Sequence, residues 1–288
     1  FANTTASNNT AVGDKALTTN TTANNNTAIG TSALCANTTG TSNTALGCGA
    51  LFDNTTGGSN IAIGKGSLIN NTTASDNTSI GTNAMIINTT GACNVAVGSS
   101  ALYSNTTASN NTAIGVLALG ANTTGSTNVA IGRKTMCTNT TGANNTAIGN
   151  QSLEQNTTAD NNTAVGNASL DANTTGAGNT ALGQSSLGSN TTASDNTAVG
   201  HQALFTNVTG ANNVAVGKNA LYYNTASTNT AIGNLAMTNT STGAGNTAVG
   251  QNALTANTEG ENNVAIGKNA LDANTTADGS VAIGFDAL

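Results

Sequence analysis

The sequence has neither proline nor tryptophan, a single histidine, and only three Tyr and four Phe as aromatics in 288 residues. Charge is equally scarce: charged residues make up 6% of the chain, six basic against twelve acidic, for a net charge of −6. Each shortage closes off a class of function. Nucleophilic catalysis needs an activated pair, and His201 has no Ser or Cys set beside it by any repeating logic. So few Lys and Arg under a negative net charge argue against nucleic acid or an anionic membrane as partner. No apolar run is long enough to span a bilayer, so no membrane insertion is expected. Carboxylates are scattered; the two local clusters, Asp14 beside Lys15 and Glu259 near Glu261, supply no metal-ligand set, and the glycine-rich Ca²⁺-binding nonapeptide is absent. We therefore expect neither an enzyme nor a cofactor.

What is there is mostly Thr, Asn, Ala and Gly. Such a composition would describe a disordered low-complexity tract if its residues were not strictly ordered. Counted from Asn3, a 17-residue repeat reads NTTASNNTAVGDKALTT, begins again at Asn20 and Asn37, and holds its spacing to Asn224. The copy starting there is one residue short, after which the spacing of 17 resumes. Two leading residues, fifteen full copies, one of sixteen and a final fifteen residues account for the chain. It reads as one repeat array, residues 1–288, and as an excerpt of a longer fibre.

The copies inform on one another. Position 11 is Gly in all seventeen, position 10 is always Val, Ile or Leu, and position 15 is Leu or, at Met85, Met136 and Met237, Met. Position 9 is Ala except at Ser79, and position 7 is Asn except at Ser280. Of eighteen charged residues, seventeen fall at positions 5, 6, 12, 13, 16 or 17, the exception being Glu259 at position 3. Charges avoid a dry interior because desolvation is costly, so those six positions face water.

Gly, Asn and Thr in every copy make a helix unfavourable. Positions 7 to 11 carry β-branched residues at alternating sites 8 and 10, a strand signal. A second strand is expected through positions 14 to 17 into the following N-T-T, with turns at 4–6 and 11–13. The one-residue deletion lands in the first turn, where it is best absorbed. One repeat cannot bury its own apolar face, so the copies are expected to stack as an all-β parallel β-solenoid. On this reading positions 8, 10 and 15 point inward, and the Asn of positions 1 and 7 form coil-to-coil ladders. Gly at position 11 supplies a φ > 0 corner or a close backbone approach. Seventeen coils at ~4.8 Å give a rod roughly 80 Å long. The core is thin, with large side chains contributing about 1.5–3 kcal/mol each against backbone ordering of about 1–2 kcal/mol per residue. Burial between chains would help. The small face at position 9 is the expected contact with another copy, and a homotrimer is the expected assembly.

The run N-T-A-[VI]-G-x-x-A-L-x-x-N-T-T-G, seen as NTAVG at Asn9–Gly13, NTAIG at Asn26–Gly30 and NVAVG at Asn94–Gly98, resembles the head repeats of YadA-like trimeric autotransporter adhesins. It also resembles NTAIG-type arrays of bacterial surface fibres and phage tail-fibre-like proteins. The resemblance covers the whole chain, although the repeat here is longer than the adhesin-head unit. It implies a left-handed parallel β-roll, trimerised along its length, serving as a stalk or adhesive head outside the cell or on a virion.

Three further sets of residues invite a function. Asn-X-Thr recurs at position 1 in fourteen copies, first at Asn3, Asn20, Asn37, Asn54 and Asn71, each a glycosylation acceptor in a eukaryotic secreted protein. A stacked Asn ladder would generate the same pattern unaided. Phe1, Phe52, Tyr103, Phe205 and Tyr222 all occupy position 16, one edge of the stack. There they could contact a glycan or host surface, or lie against a neighbouring chain. Cys35 and Cys137 share position 16 six coils apart, roughly 29 Å by stacking, beyond disulfide reach; Cys35 could bridge Cys48 only if two adjacent corners met, and the four, with Cys93, read as free thiols. The leading expectation is a structural interaction protein: an extracellular fibre, adhesin shaft or head. Its rival is an ice-binding solenoid presenting Thr and Asn arrays. An enzyme of the pectate-lyase type would need clustered charges on one face, which the repeat lacks.

Overall fold

The structure, a computed structural model, describes residues 4–288. It is an all-β parallel β-solenoid of about sixteen turns with a period of about seventeen residues. Its residues fall into two compact blocks, one ending at Asn144 and one beginning at Asn145. In the first, three-residue strands run from β1 (Thr10–Val12) to β8 (Val129–Ile131). Each pairs in parallel with the next, equivalent repeat positions facing one another: Thr10 opposite Thr27, Thr112 opposite Val129. The second holds β9 (Thr146–Ile148) to β17 (Val281–Ile283), paired the same way. The short copy keeps this register, with Val214 opposite Thr230.

Each strand covers positions 8 to 10, and its alternation is the one expected from the sequence, but facing the other way. Position 9 points inward: Ala28, Ala45, Ala113 and Ala198 are fully buried. Positions 8 and 10 point outward, so their assignment to the core is corrected, as is the assignment of position 9 to an intermolecular contact. The reason is the width of the coil. The wall opposite the strand, positions 14 and 15, comes so close that position 9 holds only the small side chains Ala and, once, Ser. The interior is thus built from Leu or Met at position 15 and small residues at 9 and 14. The one Ser at position 9 proves the closeness: Ser79 meets Ser67, a position-14 residue, with their hydroxyls 2.8 Å apart.

The second strand does not form. Positions 12 to 17 are turns, because positions 13 and 15 adopt left-handed backbone; Leu102 has φ 49° and Ser100 φ 56°. The turn is closed by Ala118 N–H to Gly115 O at 3.2 Å and Asn122 N–H to Leu119 O at 3.2 Å. Gly at position 11 meets both expectations. Its φ runs from 126° at Gly13 to 145° at Gly233. A Cβ on Gly98 would lie 2.6 Å from the carbonyl oxygen of Gly115 in the next coil.

Both Asn ladders are present, with different wiring. At position 1, amide bonds to amide: Asn105 Nδ2 donates to Asn88 Oδ1 at 2.8 Å and to Ala108 O in its own coil at 3.0 Å. At position 7, amide bonds to backbone, joined in places by an amide-to-amide bond: Asn94 Oδ1 accepts the N–H of Asn111 at 2.9 Å, Asn111 Nδ2 reaches Gly125 O at 3.0 Å, and Asn60 Nδ2 also donates to Asn43 Oδ1 at 3.1 Å. The two ladders meet on the position-4 carbonyl, since Gly125 O also accepts from Asn122 Nδ2 at 2.9 Å. Buried amides are costly unless paired, and here the pairing is supplied by the next coil.

Candidate interaction surface

Because side chains alternate across a strand, burying Ala at position 9 forces both its neighbours to the surface. In the N-terminal block, position 10 gives a column that includes Val12, Leu46 and Ile114, exposed to 56%, 43% and 37%. In the C-terminal block the same column includes Leu182 and Ile232, exposed to 46% and 42%. Position 8 runs beside it as Thr, Val or Ile, with Ile61 at 39%. None of the eighteen charged residues occupies either position. Single exposed apolar residues are ordinary, whereas a contiguous apolar column is a candidate contact surface. Sequence reasoning missed it by placing the largest aliphatics inside. The corrective signal was present: positions 4, 9 and 14 hold only Ala, Gly, Ser or Thr, too little volume to accompany two more aliphatics per coil.

The position-16 edge is more scattered. Phe52 is half-buried and Tyr103 is exposed, three coils apart. Phe205 and Tyr222 are brought together, stacked at 5.3 Å between ring centroids. Tyr223, at position 17, adds an edge-on contact to Tyr222 at 4.7 Å. Phe205 lies over Gly188, where a Cβ would come within 2.7 Å of the ring. Phe1 lies outside the described residues. Asp171, on the same edge, is half-buried, and burial pushes its carboxyl above the ordinary value near 3.8, with Glu154 in the preceding coil adding to the rise.

The proposed glycan acceptors are in the interior. Asn20, Asn37, Asn54 and Asn71 are fully buried. Asn37 Nδ2, the atom a sugar would modify, donates to Asn20 Oδ1 and Gly40 O, both at 2.9 Å. These four are therefore ladder residues in the folded chain; Asn3 lies outside the described residues. His201 is exposed. Cys35, Cys48 and Cys93 are free thiols, the last two exposed. Among the described residues no three His, Cys, Asp or Glu side chains converge as a metal site would require, and no pocket is formed. No helix of the described residues is long and apolar enough to cross a membrane.

Against known proteins, no family model matches the chain and no curated protein matches it.

Proposed function

We propose that the chain is a structural element of an extracellular fibre, an adhesin shaft or head at a cell surface or on a virion, built by side-by-side self-association of solenoids. One observation carries this reading: the uncharged aliphatic column at position 10, exposed or half-exposed along each block and buried nowhere among the described residues. Its occupant is a second copy of the chain. The column repeats once per coil, at about the 4.8 Å spacing of paired strands. Another solenoid with the same rise keeps its side chains in step with that spacing over many coils, whereas a globular partner meets only a few. Like charges facing each other would oppose a symmetric contact, and this face has none. Three copies around a common axis would enclose all three columns, and we propose the trimer on that ground. The aromatic edge, exposed Tyr103 and the half-buried Phe205–Tyr222 pair with exposed Tyr223, is then free for a glycan or host surface.

Sedimentation of the full chain tests the assembly. Three times the chain mass is expected at micromolar concentration, falling to the monomer when Ile114, Ile131, Leu182 and Val199 are replaced by Lys while the circular dichroism is unchanged. A wild-type monomer at that concentration removes the proposal. Ice binding has one observation in its favour: Thr at position 3, including Thr22, Thr39, Thr124 and Thr192, is exposed throughout. The hydroxyls at position 2 are engaged instead, as in Thr38 Oγ1 donating to Thr55 O at 3.0 Å. Inhibition of ice recrystallisation by micromolar protein would put that reading first.

A further inference from the structure

The ladders of the C-terminal block fail at one place. The copy Asn224–Asn239 lacks a residue, and the copy after it opens with Thr240 where Asn is expected. From Asn173 to Asn207 each position-1 amide donates to the one before it, ending with Asn207 Nδ2 to Asn190 Oδ1 at 3.2 Å. Asn224 does not continue the series. With its turn shortened, its Nδ2 folds back to Ala226 O at 2.7 Å, and its Oδ1 accepts from Asn229 instead. Asn207 Oδ1 is left buried without a partner, and so is Thr240 Oγ1 on the other side of the short coil. The third such atom, Asn219 Oδ1, sits in the position-13 column directly before Leu235, which has no amide to offer. All three unpartnered buried side-chain atoms of the described residues thus flank a single coil.

The backbone shows the same break. In the C-terminal block the position-2 N–H donates to the next coil, as in Thr174 to Thr191 O at 2.9 Å and Thr225 to Ser241 O at 2.9 Å. Val208 N–H, alone from Thr157 to Thr258, has no such bond. The opposite wall is intact: Val214 pairs with Thr230, and Leu221 N–H bonds Ala236 O at 3.0 Å.

We infer that the short coil is a built-in opening point, at which the C-terminal block parts first along the wall of positions 1 to 3 while the strands still hold. In a stack where each coil contacts only its neighbours, local stability follows the nearest interfaces, and the interface with orphaned polar groups is the weakest. The coil is a hinge of set location in an array whose other coils are closely alike. Its existence does not depend on the self-association proposed above.

Native-state hydrogen exchange on the full chain reads this directly. Amides of residues 207–241 are expected to exchange roughly tenfold or more faster than their equivalents in the copies at Asn173 and Asn190. Two variants locate the cause. Leu235→Asn with Thr240→Asn offers Asn219 Oδ1 an amide and removes the orphaned Thr240 hydroxyl, and Thr240→Val removes that hydroxyl alone; both should slow exchange here and nowhere else, the first more. Limited proteolysis should cut wild type first within the same residues. Uniform protection along the C-terminal block, or an unchanged rate in both folded variants, overturns the inference.

Discussion

A leucine at φ near +50° is uncommon, and a β-branched residue there would be a genuine outlier. Position 15 holds that conformation in coil after coil, 53° at Leu51 and 49° at Met85, and its occupants are Leu or Met and never Val or Ile. Position 10, an extended strand site, takes Val and Ile freely. That contrast was legible in the sequence and marks 15 as a turn residue, although its apolar character alone suggested a strand. The ladders were legible too, because Asn fixed at two positions of a stacked repeat places amide over amide from coil to coil. Asn88→Ala would orphan Asn71 Oδ1 and one hydrogen of Asn105 Nδ2. With buried polar groups losing about 1–3 kcal/mol each, a loss of about 3 kcal/mol in equilibrium unfolding is expected. Asp171 runs the other way. Its folded-state pKa is raised, so its contribution is fully present below the ordinary carboxylate range and is lost as pH rises through the folded value. Asp171→Asn should therefore match wild type near pH 3 and melt higher at pH 7, the gap opening between the two.

At the scale of the strand, pleat and period were fixed by the pattern N-T-A-[VI]-G, while the inward face was not. Alternation says only that 8 and 10 share a side opposite 9. Which side is buried depends on the distance to the opposing wall, a tertiary quantity that no single copy encodes. The structure makes neighbouring residues of one strand respond oppositely. Ala113→Val pushes two methyl groups into a filled interior, at about 1–3 kcal/mol or more. Ile114→Thr, one residue on, changes an outward side chain to the type already common at position 8. Thermal unfolding of the two variants at a concentration where the chain is monomeric should separate them clearly. Equal destabilisation would mean that the burial of position 9 is misassigned.

Across the molecule, the candidate contact surface was half legible. Self-association was expected from the thinness of the core, and the thinness is real: Leu or Met is the single large buried side chain per coil. The inward and outward faces were exchanged because an aliphatic ridge on a solenoid's outside looks, in sequence, like a core. In-register stacking also has a consequence for how such a chain changes over time. Within each block, coils of full length present closely similar upper and lower contacts, with Gly98 seated on Gly115 as Gly47 is on Gly64. Whole repeats can therefore be duplicated or lost by recombination between copies, leaving every remaining contact as it was. Other indels do not have that freedom: in the sixteen-residue copy at Asn224 the shortened turn takes Asn224 out of the ladder and strands Asn207 Oδ1. Length is the trait this architecture can vary most freely, in steps of one coil.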